Sequence, residues 1–207
     1  MRQYSILLLF IVIGMWGLSS IISVIPLAAS EFNYDESEAN YEILYSFEDR
    51  NRHEWIGSNH FEGFLISTEW SSIGSYSLMG ILKQQDPTHF EPEFTKIYSP
   101  KRKDLSKYEQ LAVDIRHQEG DCEPGDGLYA RLYLTGDDMN LIGVSKRYAV
   151  STDKKTVRMQ LPGDLLEDKD PSELEEISRI SVELLPCDSA TGNIDVYIDN
   201  IKGYLSE

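Results

Sequence analysis

The sequence lacks the short motifs that carry most catalysis. No Gly-x-Ser-x-Gly, His-Glu-x-x-His, Walker-type loop or Gly-x-Gly-x-x-Gly occurs in its 207 residues. That absence removes the nucleophile elbow, the zinc protease helix and the phosphate-cradling turns from consideration. Cysteine is scarce: Cys122 and Cys187 are the two present, and no Cys-x-x-Cys exists. His53, His60, His89 and His117 are scattered, so no pair has the spacing of zinc ligands. Positive charge is also short, with 19 Lys and Arg against 35 Asp and Glu and a net charge of −16. A surface that acidic excludes tracking of nucleic acid phosphates or of an anionic lipid face. The abundance of acids also makes chance carboxylate pairs uninformative about glycosidase chemistry, which needs two at a set separation. The chain reads as a non-enzyme.

Charge of either sign is missing from Gln3 to Ser30, and Ser5 to Ile25 is almost wholly apolar. A buried helix of a soluble domain would need a polar face, and this segment has none. It reads as a secretory signal or a membrane anchor occupying residues 1–30. Arg2 and the α-amino group precede it, so the positive-inside bias puts everything after Ser30 outside. The apolar run is longer than an ordinary signal core, which favours an anchor. Pro26 and the small residues Ala28-Ala29-Ser30 favour cleavage. Both outcomes stay open, and both give an extracellular domain that touches the membrane only through this segment. An exported domain lives where disulfides persist, so a Cys122–Cys187 bridge is expected, with two inert thiols as the alternative.

Residues 31–40 are acidic and poor in apolar side chains, as in an exposed linker. From Tyr41 the pattern changes to short runs of period two. Tyr41, Ile43, Tyr45 and Phe47 share one parity; so do Leu111, Val113 and Ile115, and Leu128, Ala130, Leu132 and Leu134. Val157, Met159 and Leu161 form another such run, as do Ile180, Val182 and Leu184, and finally Ile194, Val196 and Ile198. Phe64-Leu65-Ile66 and Tyr76 to Met79 are shorter strand candidates, and in Ile142 to Tyr148 the inward face is ambiguous. Alternation places one side of each strand in a core. Many such strands between Gly, Pro, Asp and Asn clusters predict an all-β, two-sheet antiparallel sandwich over residues 41–207. One short helix of about two turns is expected after Asp170, with Pro171 at its first position and Glu173 completing a capping box.

Several motifs then occur in order: Ser46-Phe47-Glu48-Asp49; Gly74-Ser75-Tyr76-Ser77-Leu78; Asp104-Leu105-Ser106-Lys107-Tyr108; and Val196-Tyr197-Ile198-Asp199-Asn200-Ile201. Together they resemble the galactose-binding-like jelly roll of carbohydrate-binding modules on secreted glycoside hydrolases. The resemblance runs from about residue 41 to 205, nearly the whole exported part. A weaker likeness, to the intermediate-associated assembly factor of mitochondrial complex I, lacks that group's Asp-x-Met-Gly-Gly stretch. Here the corresponding residues are Trp55-Ile56-Gly57-Ser58-Asn59. The first resemblance implies that the first and last strands run side by side. It also implies a structural calcium ion near Glu48 and Asp199, for which carbonyls of the Gly74-Ser75 turn are candidate ligands. The alternative is that the two acids only cap strand ends.

For a ligand, the informative side chains are those opposite the inward parity. Tyr129, Arg131 and Tyr133 alternate with the apolar residues of their run, and Asp114, Arg116 and Arg158 do so on neighbouring runs. Tyrosine offers a flat face for sugar C–H groups, and arginine a planar fork for paired oxygens. An ordinary solvated sheet face with cross-strand pairs is the plain alternative. Trp55 and Trp70 sit among polar residues, either as loop platforms or as covers for an open end of the sandwich. The expected function is non-catalytic binding of an extracellular polysaccharide or glycan. The competing expectation is a structural or adhesion-type envelope protein whose sandwich meets other proteins.

Overall fold

The computed structural model describes residues 40–52, 55–57, 61–83, 95–99, 102–118, 128–185 and 193–206. They form an antiparallel β-sandwich, as expected from the alternation. The first sheet contains β1 (Tyr41–Tyr45), β3 (Phe61–Ser67), β4 (Ser77–Leu82), β6 (Tyr108–His117), β10 (Lys155–Gln160) and β12 (Ile194–Leu205). Its order is β10-β6-β12-β4-β3, with β1 also on β12. The second sheet contains β2 (Ile56–Gly57), β5 (Thr95–Ser99), β7 (Leu128–Thr135), β8 (Leu141–Val144), β9 (Tyr148–Val150) and β11 (Arg179–Leu185). Its order is β2-β5-β11-β7-β8, with β9 also on β7. The first and last strands of the described residues are neighbours, β1 pairing Tyr41 with Tyr204 and Ile43 with Lys202.

One core lies between the sheets. Leu111, Val113 and Ile115 of β6, Val157 and Met159 of β10 and Val196 and Ile198 of β12 face Leu128, Ala130, Leu132 and Leu134 of β7 and Ile180, Val182 and Leu184 of β11. Burying each large aliphatic side chain is worth about 1.5–3 kcal/mol, and the entropy of ordering the chain offsets most of that sum.

The long strand β12 contains a bulge that changes its parity. Asp199 lies opposite Asp114 and Lys202 opposite Ala112, so β12 inserts one extra residue there. Asn200 occupies the left-handed region at φ 43°, which asparagine tolerates better than most residues. Before the bulge Val196 and Ile198 point inward; after it Ile201 does. Tyr197 and Asp199 therefore share the outer face with Lys202 and Tyr204, although their numbers differ in parity.

Two expectations change in detail. The ambiguous run from Ile142 to Tyr148 is two strands, β8 and β9, which pair with different halves of β7 and are separated at Ser145–Arg147. The capped turn after Asp170 is a 3₁₀ helix, Pro171–Glu176, and not an α-helix. Its capping box is present: the Asp170 carboxylate accepts from Ser172 N–H at 2.9 Å, and Asp170 N–H donates to Glu173 Oε1 at 3.3 Å. Cys122, Cys187, the apolar N-terminal segment and the linker up to residue 39 lie outside the described residues.

Candidate functional site

The outer face of the first sheet is where polar and aromatic side chains gather. Registry places Arg158, Ala112, Lys202 and Ile43 in one row across β10, β6, β12 and β1. The adjacent row is Gln160, Gln110, Tyr204 and Tyr41. Beyond the bulge, Arg116, Tyr197, Met79 and Leu65 form a third row across β6, β12, β4 and β3.

Each end of this floor carries a half-buried ring backed by a fully buried tyrosine. At one end Trp70 packs edge-on against Tyr197, with ring centroids 6.3 Å apart. At the other Tyr41 lies 5.6 Å from Tyr204. Tyr197 and Tyr204 are themselves 0 % exposed. The accessible aromatic surface is therefore that of Trp70 and Tyr41. Cations are laid over these rings: Arg116 over Tyr197 and Trp70, Arg158 over Tyr204, and Lys202 over Tyr41. Such contacts fix side-chain planes and add to packing.

Between the two ends the polar heads hold one another. Thr156 donates to Asp114 Oδ1 at 2.7 Å, Lys202 lies 3.7 Å from Asp114 Oδ2, and Arg158 Nη1 donates to Gln110 at 2.6 Å. Asp114 and Lys202 are both buried. The Tyr197 hydroxyl donates to the Glu69 carboxylate. Burial first, and that carboxylate second, raise the Tyr197 pKa well above the ordinary phenol value.

Trp70 belongs to the loop between β3 and β4, which two acids tie down. Asp199 Oδ2 accepts from Ser72 N–H at 2.9 Å, Ser72 Oγ at 3.1 Å and Ile73 N–H at 3.3 Å. Glu48 accepts from Ser75 N–H at 2.9 Å and from Tyr76 N–H at 2.9 Å. Gly74, at φ +82°, lets the loop pass so close that a Cβ there would lie 2.3 Å from the Glu48 carboxyl carbon. These are the two acids expected to ligate calcium. Here their oxygens receive N–H and O–H donors, whereas a hard cation needs lone pairs turned toward it. That donor set does not fit a calcium site. Among the described residues, no group of three or more His, Cys, Asp and Glu side chains has the arrangement of a metal site. Both acids act as anchors of the loop that presents Trp70.

The six side chains singled out from the sequence do not share a face. Asp114, Arg116 and Arg158 lie on the first sheet, and Tyr129, Arg131 and Tyr133 on β7 of the second. On β7, Tyr129 is 44 % exposed but Tyr133 only 7 %. Arg131 Nε is paired with Glu183, itself fully buried, and its guanidinium lies 4.8 Å from the Tyr133 ring centroid. Burial, reinforced by a hydrogen bond to Glu183, pushes the Tyr133 pKa up to about 12. Tyr133 and Arg131 thus form a closed cluster with Glu183 and not an open pair of phenols around a free guanidinium. Trp55 is also buried, edge-on to Tyr45 at 5.3 Å, and covers the core, the plainer of the two roles open to it.

A family model described as mannanase, galactose-binding domain-like matches residues 45–200. The chain belongs to that family. Among curated proteins none matches. Solved structures share the fold at low identity. A structure of carbohydrate-binding modules of the β-sandwich superfamily, described as promiscuous in specificity, superposes with a TM-score of 0.57 at 15 % identity, over 82 % of this chain and 64 % of that one. The chain thus spans just under two thirds of that protein. A family 28 module specific for non-crystalline cellulose gives 0.57 at 14 % identity, covering 82 % of this chain and 97 % of the module. A family 11 module from Clostridium thermocellum, in complex with a mixed-linked tetrasaccharide, gives 0.52 at 13 %, covering 82 % and 99 %. At such identities the likeness establishes the sandwich and nothing about a ligand.

Proposed function

We propose that this domain binds a polysaccharide without acting on it, and that it does so outside the cell on the outer face of its first sheet. Membership of the mannanase galactose-binding-like family supports a glycan as the partner. The observation that carries the choice of face is the floor running from Trp70 to Tyr41. Two accessible rings on buried tyrosine supports are joined by a row of planar polar heads. Sugar rings offer C–H faces to aromatics and paired hydroxyls to guanidinium, amide and carboxylate groups. The heads are already held in place by one another, which lowers the cost of ordering them on binding.

Export rests on the charge-free segment of residues 1–30, and it removes anionic nucleic acid as a partner along with the acidic surface. Calorimetry of the purified full chain against neutral and acidic polysaccharides tests the function. Affinity of micromolar to millimolar order is expected, because few groups engage and hydroxyls must shed water. Trp70→Ala and Tyr41→Ala should each weaken it, while Tyr129→Ala on the second sheet should not. The opposite pattern, with Tyr129 required and Trp70 dispensable, would move the site to the second sheet.

A further inference from the structure

We infer that Arg116 is the residue by which this face discriminates its ligand: its guanidinium takes two neighbouring ligand oxygens, from the vicinal hydroxyls of a neutral sugar or the carboxylate of a uronate. The inference rests on the glycan-binding reading of the same face.

Arg116 differs from the other polar heads around it. Arg158 is engaged by Gln110, Lys202 and Thr156 by Asp114, and Tyr197 by Glu69. Arg116 makes no hydrogen bond or ion pair among the described residues, and its Nε is buried without an acceptor. A buried donor left without an acceptor is unfavourable, and a charged one more so. Two aromatic rings flank it: its central carbon lies 5.0 Å from the Tyr197 ring centroid and 5.7 Å from that of Trp70. The fork is thus held beside the half-exposed Trp70 face on which a sugar would rest. A sugar there would bring its oxygens to donors that are already oriented. Lysine could restore the charge but not the fork, because an ammonium is a point donor on a flexible stem. Glu69 lies within reach of Tyr197, and Asp195 sits two positions before it on the same face. These acids accept from hydroxyls and repel a carboxylate, so of the two sources they favour the vicinal diol.

The test is calorimetry of the full chain with a neutral mannan, a neutral xylan and polygalacturonate, comparing wild type with Arg116→Lys and Arg116→Ala. Both variants should lose about ten-fold or more in affinity, the size expected for a charge-assisted bond. Lysine should rescue little, and the melting temperature should hardly move. Loss on the neutral glycans identifies the diol source. Binding confined to polygalacturonate, abolished in both variants and weakened by salt, identifies the carboxylate. Wild-type binding with Arg116→Ala equally tight, or full rescue by lysine, overturns the inference and leaves the glycan-binding reading standing. No binding of any of the three by wild type would instead sink that reading, and this inference with it.

Discussion

Asp199→Asn tests how the loop bearing Trp70 is held. Asp199 is fully buried and receives Ser72 N–H, Ser72 Oγ, Ile73 N–H and Asn200 Nδ2 on one oxygen, and Asn200 N–H on the other. Asparagine has one acceptor oxygen, which keeps the four donors on the Ser72–Ile73 side without the charge, and its NH2 then faces the Asn200 N–H, donor against donor. Hydrogen bonds to charged acceptors are worth about 1.5–3 kcal/mol each and do not add, so losing the Asn200 N–H bond and the charge assistance of those from Ser72 and Ile73 should cost about 3 kcal/mol. For a domain of this size that is a fall of about 6–12 °C in melting temperature. Trp70 should lose its fixed contact with Tyr197, seen as a change in near-ultraviolet circular dichroism. A calcium chelator should leave the wild-type curve in place, because the donors are supplied by the chain. A variant that melts with wild type would refute this account of the loop. So would a wild-type melting temperature lowered by chelation alone as much as by the substitution, since an ion bound only by the folded state stabilises by mass action.

Gly74→Ala should destabilise by more than about 1 kcal/mol in urea unfolding, because the backbone is left-handed there and the new methyl would meet the Glu48 carboxylate. Asp114→Ala removes the carboxylate facing buried Lys202 and should cost about 3–5 kcal/mol; pairing it with Lys202→Met should recover most of that loss. Tyr133 holds its proton in the folded state up to about pH 12, whereas the unfolded phenol ionises near 10. The folded form binds the extra proton in that window, so stability should fall between those pH values. Tyr133→Phe should flatten this fall in alkaline melting curves, and an unchanged slope would show that other groups cause it.

Period-two runs reveal β6, β7, β10 and β11 because each keeps apolar side chains on its core face and mostly polar ones on the other, and carries no bulge where the core is read. They expose only the first half of β12. The extra residue at Asn200 moves the outward parity from Tyr197 to Lys202, and a strict alternation assigns Lys202 and Tyr204 to the core side. An asparagine inside an apolar strand is the available signal. The pair β2 and β5 gives no such pattern, β2 being two residues long. The candidate site is legible by residue type but not by place. Asp114, Arg116 and Arg158 stand opposite the inward parity of their runs just as Tyr129, Arg131 and Tyr133 do, and only strand order separates them onto two sheets. Tyr133 and Arg131 are both engaged by Glu183, distant in the chain and brought near only through the β7–β11 ladder. Tyr41 looks like an ordinary member of the first strand, since its role comes from pairing with Tyr204.

The buried pair of Asp114 and Lys202 shows what this face is built to keep. An apolar pair of similar volume would serve stability as well or better, since desolvating two charges offsets most of their attraction. What apolar side chains would not supply is orientation. Asp114 accepts a hydrogen bond from Thr156 on β10, and Lys202 lies 5.2 Å from the centre of the Tyr41 ring, which packs in turn on Tyr204. A chain of directional contacts therefore crosses β10, β6, β12 and β1 and ends on an accessible ring. Asp199 and Glu48 perform the equivalent task for Trp70 at the other end. In a domain whose acids far outnumber its bases, these cations lie over aromatic rings, where their planes and positions are fixed before any ligand arrives. A binding face of this kind gains affinity from what it does not have to rearrange.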